Sequence, residues 1–160
     1  MSITFSGTEL VNIAIGIERS GIAFYDVMSK STKNAQAQNY FKQLAQMEQE
    51  HVKTFQAMLS DTDVSSSSAT QENADYLKAL VDSAVFTENK ITGESAMKVS
   101  SDVEAMDMAI AAEKDSILFY QEMKGMIPQK SQATVGKIIA EEREHLSKLS
   151  QLRYKMAHVA

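Results

Sequence analysis

Two stretches of this chain are versions of one another, and both place glutamates inside helical stripes that are otherwise apolar. AIGIERSGIAFYDVMSK aligns without gaps on AIAAEKDSILFYQEMKG, and AQMEQEHVKTFQAM aligns on IAEEREHLSKLSQL. The aligned pairs are Glu18 with Glu113, Tyr25 with Tyr120, Glu48 with Glu142 and His51 with His145. The lone glutamate precedes the paired one by 30 residues in the first half and by 29 in the second. Two related hairpins packed face to face generate a pseudo-twofold axis, so a polar residue on each inner face meets its counterpart near that axis.

The stripes themselves are read at three- and four-residue steps. From about Thr8 to Ser29, Val11, Ala14, Ile15, Glu18, Ile22 and Tyr25 share a face. From about Asn34 to Leu59 the face carries Phe41, Leu44, Glu48, His51, Val52, Phe55 and Met58. A third helix begins at Ser101-Asp-Val-Glu104 and aligns Met106, Ala109, Ile110, Glu113, Ile117 and Tyr120. A fourth follows Pro128 and aligns Val135, Ile138, Glu142, His145, Leu149 and Leu152. Ser6 to Glu9 and Ser101 to Glu104 both have the spacing of a capping box.

Short polar turns around Ser31 to Lys33 and Gly125 to Lys130 make each pair an antiparallel hairpin, about 7–59 and about 101–157. Residues 60–100 form a long crossover. It holds the run Ser65 to Ser68, read as a flexible linker, a short helix around Ala74 to Val85, and a glycine-containing loop near Thr92 to Ser95. If the second and third helices run parallel, the crossover spans roughly 30 to 40 Å, which ten to thirteen extended residues at ~3.3 Å each would cover. The expected fold is an all-α four-helix bundle filling a single domain, 1–160.

Composition agrees. Of 160 residues 44% are hydrophobic, enough for one core, and only 6 Gly and 1 Pro interrupt helix-favouring residues. A net charge of -5 and a pI near 5.2 exclude a nucleic-acid footprint. The lack of cysteine excludes disulfides, thiolate catalysis and iron held by sulfur. The N-terminus has no basic and apolar leader pattern, and no segment approaches the ~20 apolar residues of a membrane span, so the chain is read as soluble and cytoplasmic.

The glutamates decide the chemistry. An unpaired buried carboxylate costs several kcal/mol, and four such costs exceed what a fold with ~5 to 15 kcal/mol of net stability absorbs. Two divalent cations balance four carboxylates. Glu-x-x-His is suited to the task because residues three apart share a helix face, and one Glu from each of two helices with a Glu-x-x-His from each of the other two is the ligand set of di-iron and di-manganese bundles. The candidate metal ligands are therefore Glu18, Glu48, His51, Glu113, Glu142 and His145. The repeat prefers Glu142, aligned with Glu48, over Glu141, aligned with Met47. Glu50 and Glu144 lie about 100° round the helix from their histidines and are read as solvated.

With these motifs the chain resembles the rubrerythrin and bacterioferritin branch of the ferritin-like superfamily across all four helices. The resemblance implies that Glu48 and Glu142 bridge two irons, manganese being an alternative, with Glu18 and Glu113 as terminal ligands and one histidine on each ion. It gives the four carboxylates the catalytic role and makes Tyr25 and Tyr120 supports of the cofactor, steadying ligand carboxylates. The implied activity is a di-iron oxidoreductase of peroxidase or ferroxidase type, reducing peroxide or dioxygen; the alternative is iron storage or delivery without turnover. Departures from the family pattern are informative. Ile110 replaces the extra ligand glutamate of rubrerythrins, so the peroxide preference tied to it is not carried over. With no cysteine there is no rubredoxin domain, so an external electron donor is expected. Gln49 stands where bacterioferritins have a haem-ligating Met, so no haem is expected. A homodimer is the assembly considered; neither nucleic acid nor membrane is an expected partner.

Overall fold

The computed structural model describes residues 5–66, 71–83 and 99–158. Among these the regular elements are helices: α1 (Gly7–Ser31), α2 (Ala35–Met58), α3 (Thr62–Ser66), α4 (Gln71–Ser83), α5 (Asp102–Lys124) and α6 (Gln129–His158). Their starts are chemically marked. Ser6 accepts the Glu9 N–H, and the Glu9 carboxylate accepts the Ser6 N–H at 2.8 Å, completing the first capping box. Asn34 caps α2 by accepting the Ala37 N–H. At α5, Ser101 accepts the Glu104 N–H as expected, but the Glu104 carboxylate turns to the N–H and hydroxyl of Ser100. That box is half formed because an upstream hydroxyl competes for the carboxylate.

Helices α1 and α2 fold back on each other, as do α5 and α6, giving the two expected hairpins. Across the hairpins α1 packs on α5 and α2 on α6. The Asp102 carboxylate, at the start of α5, accepts the N–H groups of Lys33 and Asn34 in the α1–α2 turn at 2.8 to 3.1 Å. This ties the second hairpin's entry to the first hairpin's turn.

The apolar interior is divided in two. One cluster, where α1 and α6 begin, joins Leu10, Val11, Phe55, Phe119 and Val135. The other, where α2 and α5 begin, joins Phe24, Phe41, Leu44, Met106 and Leu149. Helix α2 thus ends in the first cluster, and α5 starts in the second. The described helices between them stay at the first end: Val64 of α3 and Ala74 and Leu77 of α4 are buried in that cluster.

Local details differ from the periodicity reading. Ile22, Ile110 and Ile117 sit at the edges of their stripes, partly buried, while Ser20, Gly21, Ala112 and Ser116 are buried. A bundle helix touches two neighbours, so its buried face is wider than one row, and the part nearest the carboxylates takes small side chains. A Cβ on Gly21 would lie 3.9 Å from the Glu48 side chain. Ser65 and Ser66 end α3 and so are helical where a flexible linker was expected; the rest of the serine run lies outside the described residues. The expected helix at Ala74 starts earlier, at Gln71, and is described to Ser83. Residues 84–85 and the loop near Thr92 to Ser95 lie outside the described residues.

Candidate metal centre

A polar layer separates the two apolar clusters. To it α1 contributes Glu18, α2 Glu48 and His51, α5 Glu113, and α6 Glu142 and His145, none more than 4% exposed. All six sequence-predicted residues are thus brought together. Ligand atoms of Glu18, Glu48, His51 and Glu142 lie within 4.8 Å of one another, and so do those of Glu48, Glu113, Glu142 and His145. The two groups overlap in Glu48 and Glu142. The imidazoles lie nearly parallel, ring centroids 6.0 Å apart, one in each group.

Each histidine turns Nδ1 toward the carboxylates. His51 Nδ1 lies 2.9 Å from Glu142 Oε1, 3.5 Å from Glu18 Oε1 and 3.8 Å from Glu48 Oε2. His145 Nδ1 lies 3.3 Å from Glu142 Oε2, 3.5 Å from Glu48 Oε1 and 3.8 Å from Glu113 Oε2. Among the described residues, one oxygen of each of Glu18, Glu48, Glu113 and Glu142 is buried without a hydrogen-bond partner, as is His51 Nδ1. Buried polar atoms are ordinarily satisfied, and orphans converging on one place mark where cations fit. An all-oxygen and imidazole donor set suits iron or manganese.

The tyrosines cross between hairpins. Tyr25 Oη on α1 donates to Glu113 Oε1 on α5 at 2.5 Å, and Tyr120 Oη on α5 donates to Glu18 Oε1 on α1 at 2.5 Å. Each phenol therefore fixes the lone glutamate of the other half, which the repeat spacing alone did not indicate. Burial, reinforced by the neighbouring carboxylates, pushes both phenols well above the ordinary tyrosine range and keeps them as donors. Replacing Tyr25 by Phe leaves Glu113 Oε1 without its donor and is expected to cost about 1–3 kcal/mol. Tyr120→Phe should cost a similar amount through Glu18. Chemical denaturation of both variants checks this, and two neutral substitutions would contradict the crossed bonds.

Glu141 is the residue that sequence reasoning missed. Its Oε2 lies 2.7 Å from His51 Nε2, on the far side of the ring from the carboxylate cluster. Since the partner is on α2 and Glu141 on α6, no spacing within one helix reveals it. Glu50 and Glu144 are exposed and pair with Lys53 and Lys148. His158, read as a solvated tail residue, is exposed and stacks on Tyr154.

The cluster shares protons in the absence of metal. Burial works against charge on the histidines, but contacts with Glu142 and Glu48 outweigh it and push His51 up to about 11. Glu113, Glu142 and Glu48 likewise push His145 up to about 12. Burial and then the charge of Glu142 raise Glu113 to about 8. Glu142 is lowered: burial and Glu48 oppose its charge, but the contacts it receives from Glu113, His145 and His51 prevail.

Stability of the metal-free chain should follow these shifts. The histidine contribution is complete below 6.5, the unfolded value, and disappears as pH rises through about 11 to 12. Glu113 adds stability below 4.5 that is lost as pH rises through about 8. Glu142 acts in the opposite sense, adding stability above 4.5 that is lost on acidification. The Tm of the metal-free protein should therefore peak near pH 4.5 and fall from there through about pH 8 and on toward 11 to 12. Calorimetry across that range tests it; a Tm that climbs with pH would contradict it.

The family model described as Rubrerythrin matches residues 9–153. The fold is similar to the crystal structure of a ferritin-like diiron-carboxylate protein from Thermotoga maritima, with a TM-score of 0.71 and 28% sequence identity over 95% of this chain and 97% of that one. No curated protein sequence matches. Among the described residues, no helix is long and apolar enough to cross a membrane.

Proposed function

The chain belongs to the rubrerythrin family, and from that premise we propose that it is a di-iron oxidoreductase reducing peroxide or dioxygen. The observation that carries the reading is the pair of overlapping ligand groups sharing Glu48 and Glu142, buried between two apolar clusters. Glu18, Glu48, His51 and Glu142 would hold one ion, and Glu48, Glu113, Glu142 and His145 the other; manganese shares the same donor preference. When bound, the irons supply one-electron exchange between Fe(II) and Fe(III).

The chain's own residues do the rest. Glu48 and Glu142, common to both ligand groups, would each offer an oxygen to both ions. Tyr25 and Tyr120 hold Glu113 and Glu18 in place through the crossed hydrogen bonds. The apolar clusters on either side exclude bulk water. Reduction of one peroxide to water takes two electrons and two protons, which in this reading a separate electron donor supplies.

Anaerobic loading with Fe(II), followed by peroxide in one sample and air in another, should give ferric absorption within the protein fraction. An Fe(II)-loaded protein inert to both oxidants would sink the proposal. A second reading is iron oxidation for storage or delivery, which the same ligand groups would serve. Size-exclusion separates them: a large shell favours storage, a monomer or homodimer favours turnover.

Glu18→Gln probes the charge balance. Gln keeps an oxygen to accept from Tyr120 but replaces a buried carboxylate, whose charge burial disfavours, with a neutral amide, so the metal-free form should gain stability while metal affinity falls. Thermal melts with and without Mn(II) measure both changes.

A further inference from the structure

The two halves of the centre have matching ligands but unequal surroundings. For Nδ1 of either histidine to offer a lone pair to a cation, the ring proton must sit on Nε2. On His51 that N–H faces Glu141 Oε2 at 2.7 Å. On His145, Nε2 is buried and among the described residues has no hydrogen-bond partner. The repeat explains the difference, because Met47 occupies the position equivalent to Glu141 and carries no comparable acceptor.

Glu141 belongs to neither ligand group. It can act only through His51, by fixing the ring's tautomer and rotation and by making Nδ1 a better donor. His145 gains no such help and buries an unsatisfied N–H whenever its Nδ1 is ready for a cation. Resting on the metal-site reading above, we propose that Glu141 is a positioning residue that makes the two metal positions unequal, so that the His51 side fills first and holds its ion more tightly. Loading is then stepwise, with one ion resident while the second exchanges.

Titration of the metal-free protein with Co(II), followed by calorimetry and visible absorption, tests the idea. Two phases are expected in the wild-type chain. In Glu141→Ala the first phase should weaken by roughly 10- to 100-fold and merge with the second. Glu141→Gln keeps an acceptor without the charge and should fall between the two. Met47→Glu supplies the missing partner and should tighten the second phase alone. Proton NMR adds a readout that a merely structural role would leave unmoved: the His51 Nε2–H resonance, shifted downfield by the carboxylate, should move back in Glu141→Gln. Equal affinities in the wild-type protein, or a first phase unchanged in folded Glu141→Gln, overturn the inference while leaving the metal site intact. Failure of the wild-type chain to bind Co(II) overturns both.

Discussion

Glu142→Gln should empty both metal positions at once, whereas Glu113→Gln should empty mainly one. Glu142 belongs to both ligand groups, with Oε1 2.9 Å from His51 and Oε2 3.3 Å from His145, while Glu113 belongs only to the group containing His145. The substitution keeps the size of the side chain but replaces one anionic oxygen with an N–H donor and removes the charge that balances the cations. Losing a residue that only supports a ligand typically costs about 10- to 100-fold in affinity, so losing a shared ligand should cost more at both positions. Mn(II) content after equilibrium dialysis distinguishes the variants. At a concentration that saturates the native protein with two ions, Glu142→Gln and Glu48→Gln should retain almost none and Glu113→Gln about one. Two ions retained by Glu142→Gln would remove the shared role.

Metal should also be a large part of the protein's stability. A ligand present at 100 times its Kd stabilises the folded state by about 2.7 kcal/mol, so two such ions contribute roughly 5 kcal/mol. For a chain of this size that corresponds to a rise of about 10–20 °C in Tm. The gain should increase with pH, because cations displace the protons that Glu113, His51 and His145 otherwise retain. Calorimetry with and without Mn(II) at two pH values measures it. A Tm indifferent to metal would mean that the cluster does not bind cations in the folded state.

The sequence made the bundle and the meeting of six polar residues legible for a physical reason: a carboxylate in an apolar stripe is costly, and repetition shows that it is not an accident. The choice of Glu142 over Glu141 came from the repeat and agrees with where the cluster lies. What the sequence could not display is everything that depends on distance between helices. Tyr25 and Tyr120 lie seven residues after the lone glutamates of their own helices, yet each bonds to the lone glutamate of the other. Glu141, set aside because it breaks the repeat, reaches across to His51. Ile110 and Ile117 fit the helical period but stand at the rim, because burial beside two neighbouring helices at once follows no single row.

The crossed tyrosine bonds also have a bearing on ancestry. Two identical copies of one hairpin, related by a true twofold axis, would form both bonds by symmetry, so a half-length chain could have assembled such a centre as a pair. Identical copies cannot, however, place an acid beside one histidine and withhold it from the other. Only after two hairpins share one chain can each change without its twin, and Met47 opposite Glu141 is a difference of the kind that joining permits.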